Sequence, residues 1–306
     1  MHRLAARLLY ATATLIGLLP WPWLRRAGDA LAWLWMRSDA RESRVARRNL
    51  DMAYPELSPD QRAQWHRAVL RTTARQALET LRLWTRSHAA NLALIRRSEG
   101  IALFDAALAA GRGVIVVAPH YGNWELLNQW LAWRTPLAIL YRPPESAIGE
   151  AFLRLVRADD GGRVTQIRAE GPGIRQLYRL LRDGGVVGIL PDQQPKAGDG
   201  EFVPFFGIEA LTMTLVGRLA ERTGATVLFA YCERIGPDLE FALRIEAAPD
   251  DIAAADARIA VTALNAAVEG IARRDPAQYQ WTYKRYTLRP PESGQGNPYR
   301  DLEDRR

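Results

Sequence analysis

A histidine and a glutamate in VIVVAPHYGNWE, Val114 to Glu125, have the types and the spacing for acid–base chemistry. Val114 to Ala118 reads as a buried strand that runs through Pro119 into His120 and a Gly-Asn turn, with a helix beginning near Asn123. A strand ending in histidine delivers an ionisable group to the mouth of a sheet, where open α/β sheets bind ligands. Glu125 falls in the first turn of the following helix, from where its carboxylate can face back toward the imidazole. A neutral His120 whose far nitrogen donates to Glu125 is a general base for a substrate hydroxyl, whose oxygen then attacks a carbonyl carbon. The tetrahedral intermediate needs a cationic or N–H partner. Arg142, at the end of the next strand, and Arg154 and Arg157, on the helix beyond it, are the nearest in sequence order. On these residues alone, the favoured reading is a histidine that merely caps a buried turn beside a helix-start glutamate.

Other chemistries have less to build on. Of the 4 histidines, one is at position 2, and His66 and His88 belong to an early helical region where they read as surface or packing residues. Zinc and iron sites gather further strong ligands at short spacing, which His120 and Glu125 lack. The single cysteine, Cys232, lies mid-strand among apolar neighbours; it excludes an internal disulfide framework and fits a reducing compartment. The chain has no Gly-x-Ser-x-Gly elbow, P-loop or dinucleotide fingerprint, and the glycines of GDGEF near Gly198 lack the helix that such a fingerprint requires.

The elements that must position His120 alternate. Ile101 to Ala110 predicts a helix stopped by Gly111; Val114 to Ala118 a strand; Trp124 to Trp133 a helix; Leu137 to Tyr141 a strand. Ala147 to Arg157 then predicts a helix, Val164 to Ile167 a strand, Ile174 to Arg182 a helix and Val186 to Leu190 a strand. Pro191 to Phe206 reads as an ordered loop, Leu211 to Arg222 as a helix closed by Gly224, and Thr226 to Glu233 with Leu239 to Glu246 as a hairpin. Asp251 to Arg273 is the last long helix. Such βα alternation predicts an α/β fold with a mainly parallel or mixed central sheet flanked by helices. Ahead of it, Ser58-Pro59-Asp60-Gln61 has the form of a capping box opening a long helix to about Ser87.

The amino-terminal part is different in kind. Leu8 to Leu24 carries no charge and would span roughly 25 Å as a helix, with Pro20 and Pro22 near its end. A tryptophan-rich patch, Ala30 to Met36, and a run of arginines from Arg37 to Arg48 follow, a combination suited to a bilayer interface. The favoured reading is a membrane-anchor helix, spanning or embedded; a cleaved signal peptide and a buried core helix are the competing ones. The arginine excess after the apolar run keeps the body on the cytoplasmic side. Three regions result: 1–50, anchor and basic segment; 51–290, catalytic domain; 291–306, a polar tail expected to be disordered.

At 306 residues and 48% hydrophobic content the chain has material for one large α/β domain plus an accessory segment. Its net charge of +7 comes almost wholly from arginine, since Lys196 and Lys284 are the lysines among 41 basic residues. Such a field attracts nucleic acid, anionic lipid or an acidic protein alike. For nucleic acid, QYQWTYKRY is the one stretch with interleaved aromatics.

PHYGNWE resembles the His-x-x-x-x-Glu/Asp block of the lysophospholipid acyltransferase superfamily, and GNWE resembles its branch of late lipid A acyltransferases, the lauroyl/myristoyl type. LYRPP (Leu140 to Pro144), GILPDQQ, FVPFFG (Phe202 to Gly207), RLAERTGA (Arg218 to Ala225) and QYQWTYKRYTLRP (Gln278 to Pro290) are similar to later family blocks in the same order. The resemblance implies a catalytic dyad of His120 and Glu125, with Asn123 of the same block expected to bind substrate. It implies an arginine for the thioester oxygen or the acceptor's phosphate at Arg157, with Arg154 competing because RADDGGRVTQIRAEGPG departs from the family pattern. It places Asp192 in substrate positioning or support of that arginine, and Arg142, Gln193, Lys284 and Arg285 near polar substrate groups. It further implies acyl transfer, without metal or organic cofactor, from acyl carrier protein, alternatively coenzyme A, to a glycolipid hydroxyl at the inner membrane. Other acceptors (a lysophospholipid, an ornithine lipid, a mannosylated inositol lipid, a polyene) and a catalytically silent lipid-binding scaffold remain the alternatives.

Overall fold

The computed structural model describes residues 2–141, 144, 146–156 and 162–302. Five helices come first: α1 (His2–Leu18), α2 (Trp21–Arg37), α3 (Arg41–Ala53), α4 (Pro59–Thr85) and α5 (His88–Leu92). The alternating part runs β1 (Ile95–Glu99), α6 (Ile101–Ala109), β2 (Val114–Val117), α7 (Trp124–Arg134), β3 (Leu137–Tyr141), α8 (Ala147–Val156), β4 (Val164–Arg168), α9 (Gly171–Arg182) and β5 (Val186–Ile189). It ends with β6 (Gly200–Phe205), β7 (Ile208–Met213), α10 (Leu215–Thr223), β8 (Thr226–Arg234), β9 (Phe241–Ala247) and α11 (Ala257–Arg274).

Seven strands form the central sheet in the order β1-β9-β8-β2-β5-β3-β4. β8 and β9 pair antiparallel and the other neighbours are parallel, so the sheet is mixed, as the βα alternation predicts. β2 lies at its centre, which explains why VIVV is apolar without alternation: both faces are covered. Val114 and Val116 pack into one hydrophobic cluster, Ile115 and Val117 into the other.

Four points differ from what the sequence predicts. β1, IRRSE, has no apolar pattern because it is an exposed edge strand. Pro191 to Phe206 is not all loop and α10 does not begin at Leu211, because β6 and β7 form a separate antiparallel hairpin that buries Val203, Phe205 and Ala210. Its turn, Phe206-Gly207, takes positive φ at both residues, the twist that two-residue hairpins favour. The carboxy-terminal tail packs through residue 302: Tyr299 is fully buried with its hydroxyl donating to Asn49 Oδ1, and Arg48 pairs with Asp301 at 2.8 Å.

The fourth concerns the anchor. Among the described residues no single helix is long and apolar enough to cross a membrane. The chain breaks at Leu19-Pro20, and α1 and α2 meet at 111°. Both are fastened to α4: Arg82 donates to the carbonyls of Gly17 and Leu19 at 2.8 and 2.6 Å, and Arg75 binds Asp29 through two bonds of 2.7 and 2.8 Å. Gly17 is needed at this crossing, since a Cβ there would fall 2.4 Å from Thr85 Oγ1.

Candidate active site

Neighbouring parallel strands with their ends in register bring together whatever follows them at the same distance. β2 and β5 pair with Val117 opposite Ile189, and the Ala118 N–H donates to the Ile189 carbonyl at 2.9 Å. Each strand continues through one apolar residue and a proline, Ala118-Pro119 and Leu190-Pro191, to a polar residue. Those two polar residues are His120 and Asp192, and they meet at the carboxyl edge of the sheet.

Asp192 grips His120 twice. Its Oδ1 lies 2.7 Å from the imidazole Nδ1, and its Oδ2 accepts from the His120 backbone N–H at 2.8 Å. Burial pushes the Asp192 carboxyl up, but the His120 charge and the bonds from its ring and main chain hold it below the usual range. An ionised carboxylate only accepts hydrogen bonds, so the Nδ1 that faces it carries a proton, and in the neutral ring Nε2 then presents a lone pair. The orienting partner that the sequence reading gave to Glu125 is therefore Asp192. The edge of Trp124 lies over the ring, with centroids 5.0 Å apart, and the imidazole is 12% exposed.

The turn after His120 is fastened on three sides. Gly122 has φ +61 and a Cβ there would fall 2.1 Å from the Cys232 carbonyl oxygen, so only glycine brings the turn this close to β8. The Asn123 N–H then donates to that carbonyl at 2.8 Å, the Gly122 N–H to Gln278, and the Gln280 N–H to the His120 carbonyl at 3.0 Å. The third fastening comes from α4. Glu79, with no exposed surface, accepts from Asn123 Nδ2 at 2.6 Å and binds the Arg234 guanidinium at 2.7 Å, while Asn123 Oδ1 caps α7 through the Leu126 N–H at 2.9 Å.

The expected site residues thus divide. His120, Asp192 and Gln193 are brought together, and Gln193 Nε2 lies 3.3 Å from His120 Nε2. Glu125 is buried in the first turn of α7. Asn123 uses its oxygen and its amide nitrogen to position the turn. Arg285 is buried and holds the hairpin, donating to the Leu211 carbonyl at 2.6 Å and to Thr212 Oγ1. Lys284 lies 6.0 Å from the Tyr299 ring centroid. Arg154 points to solvent, 65% exposed, and pairs with Glu150. Arg142 and Arg157 lie outside the described residues. The void lined by Asp192, Gln193, Gln280 and Arg285 measures about 10 Å³, one water's worth and far too small for an acyl chain.

Cys232 is fully buried and burial pushes its thiol far up, away from thiolate reactivity. His66 is buried against Ser43, and His66 and His88 both remain outside the site, as expected. Tyr279, Trp281 and Tyr286 are buried, so these three rings of QYQWTYKRY pack inside the protein rather than facing outward for bases to stack on. Among the described residues no group of three or more His, Cys, Asp or Glu could hold a metal ion.

Sequence reasoning missed the His120–Asp192 pairing, although the strand-x-Pro-polar pattern occurs twice and announced it. Glu79 and Gln280 had no comparable signal. Glu79 is one carboxylate among many on a long helix, and its partner Arg234 lies 155 residues away.

A histidine oriented by a carboxylate at the central carboxyl edge of a mixed α/β sheet is an arrangement that can take up a proton from a group bound there. The model of the bacterial lipid A biosynthesis acyltransferases matches residues 2–287, and the chain belongs to that family; it is an acyltransferase. Its relatives include the lipid A biosynthesis lauroyltransferase of Escherichia coli K12, 26% identical over 89% of this chain and 88% of the relative. The palmitoleoyltransferase of the same organism is 25% identical over 88% and 89%. A phosphatidylinositol mannoside acyltransferase of Mycobacterium tuberculosis is 32% identical over a shorter stretch, 54% of this chain and 53% of the relative.

Proposed function

We propose that the protein moves a fatty acyl chain from an acyl carrier protein thioester to a hydroxyl of a glycolipid, a lipid A precursor, with His120 as the base. The observation that carries this reading is the Nδ1 bond to Asp192, which leaves Nε2 able to accept a proton. The acceptor hydroxyl gives its proton to Nε2 while its oxygen attacks the thioester carbon. The tetrahedral intermediate then collapses, the C–S bond breaks, and the departing thiolate takes the proton from Nε2. Glu125 is kept as the second catalytic carboxylate, assigned from the sequence block. Lys284 is kept for the polar groups of the acceptor.

Membrane association belongs to the same proposal. α1 and α2 expose Leu8, Leu15, Leu18 and Trp23 at 61 to 68%. Such a surface on a bent pair fastened to the body suits embedding in one leaflet, with the arginine-rich body on the cytoplasmic face.

The mycobacterial relative favours one second reading, a mannosylated inositol lipid as acceptor. The test is thiol release and lipid mass spectrometry with purified protein, acyl carrier protein thioester and each acceptor. Transfer to the lipid A precursor with loss of activity in His120→Ala is expected; transfer to the inositol lipid alone selects the second reading, and no acyl transfer to either overturns both.

A further inference from the structure

The nitrogen that must receive the proton is already engaged. Gln193 Nε2 approaches His120 Nε2 at 3.3 Å and donates to Gln280 Oε1 at 3.2 Å. In the neutral ring that a base requires, with Asp192 holding the Nδ1 proton, His120 Nε2 is an acceptor, and Gln280 Oε1 is another. Only the NH2 end of the Gln193 amide complements both, which fixes the direction in which it points. An N–H aimed at the Nε2 lone pair takes the place that an acceptor O–H needs.

The surroundings allow this one side chain to move. The next residue is pinned: the Gln194 N–H donates to the Tyr283 hydroxyl at 3.1 Å, and Gln194 Oε1 accepts from the Leu288 N–H at 2.8 Å. Gln280 is held by its N–H bond to the His120 carbonyl at 3.0 Å. Asp192 and His120 are clamped to each other. Rotation of the half-buried Gln193 side chain therefore uncovers Nε2 without disturbing the pair.

We propose that Gln193 is a latch on the base, tied back by Gln280 and displaced when an acceptor hydroxyl replaces it at Nε2. The proposal rests on His120 being the base. Its consequence is selectivity against water. An uncovered base also activates water: the water proton goes to Nε2, a C–O bond forms at the thioester carbon, the C–S bond breaks, and the thiolate leaves with that proton. The products are free fatty acid and carrier thiol, and the donor is wasted. A neutral hydrogen bond of this kind shifts an equilibrium by roughly fivefold. That is enough to keep Nε2 covered most of the time and still weak enough for a well-placed hydroxyl to displace.

Two variants of the full chain test it, Gln193→Met and Gln280→Met, the second loosening the tie without touching the latch residue. Carbethoxylation of His120 by diethylpyrocarbonate, followed by peptide mass, reads exposure of its nitrogen without reference to turnover; His66 and His88 serve as internal references. The expected result is a rise of roughly fivefold at His120 in both variants, with the two references unchanged. Thiol release from the acyl carrier protein thioester without acceptor should rise by a similar factor relative to transfer. Unchanged His120 modification in both variants overturns the latch. Raised modification with an unchanged ratio of hydrolysis to transfer overturns its role against water. If the wild-type protein turns over no thioester, the functional reading fails separately, and carbethoxylation still decides the latch.

Discussion

At the scale of single residues the site depends on which nitrogen of His120 carries the proton. Asp192→Asn keeps the shape but can present its NH2 to Nδ1 and reverse the tautomer. By analogy with orienting aspartates elsewhere, turnover should fall by about 10³-fold or more with little change in KM, measured by steady-state thiol release. Glu125→Ala should also abolish transfer; near-normal turnover there beside a dead Asp192→Asn would leave Asp192 as the one carboxylate the chemistry needs. Acid stability follows from the same pair and from Glu233. Burial raises the Glu233 carboxyl, but bonds from Tyr121, Arg274 and Arg244 bring it below its ordinary value. Groups whose folded pKa is depressed stabilise fully above their ordinary values, 3.8 for Asp192 and 4.5 for Glu233, and lose that contribution as pH falls through the depressed ones. Acid denaturation followed by circular dichroism should therefore set in below the ordinary carboxylate range, and Asp192→Asn should flatten that limb.

At the scale of elements, α4 belongs to the site although it carries no group that reaches it. Glu79 holds Asn123 and Arg234 together, and Glu79→Ala leaves the Arg234 guanidinium buried without its countercharge. A loss of about 3–5 kcal/mol is expected in urea unfolding, against a smaller loss for Glu79→Gln, which keeps an oxygen for Asn123. Legibility in the sequence divides here as well. β2, β3, β5, β8 and β9 were readable because they are apolar and bounded by glycine or proline, and His120 because it ends the most apolar of them. β1 was hidden by its exposed, charged face, and the β6–β7 hairpin by prolines and glycines that resemble a loop. Pairings over long separations, such as Glu79 with Arg234, leave no local trace. The His120–Asp192 contact is different, because equal spacing after two adjacent strands was present in the letters and needed only the strand order to be read.

For the whole molecule, an arginine-rich body carries an apolar bent pair of helices on α4. Leu8→Glu, Leu15→Glu and Leu18→Glu combined should move the protein from vesicles containing anionic lipid to the supernatant in sedimentation. The same change should leave the thermal unfolding midpoint within a few degrees, because these side chains are exposed rather than packed. Retention on vesicles at high salt by the triple variant would remove α1 from membrane attachment.

The shared register of β2 and β5 also separates what is fixed from what can vary. His120 and Asp192 owe their meeting to strand ends three residues upstream of each, so adding a residue to either strand end would part them. The crossover between those strands, from α7 through β4 and α9, can lengthen, shorten or change its lining without moving His120. A chain built this way can alter what it recognises through its insertions while His120 and Asp192 keep their places, and its relatives carry the names of different acyl groups.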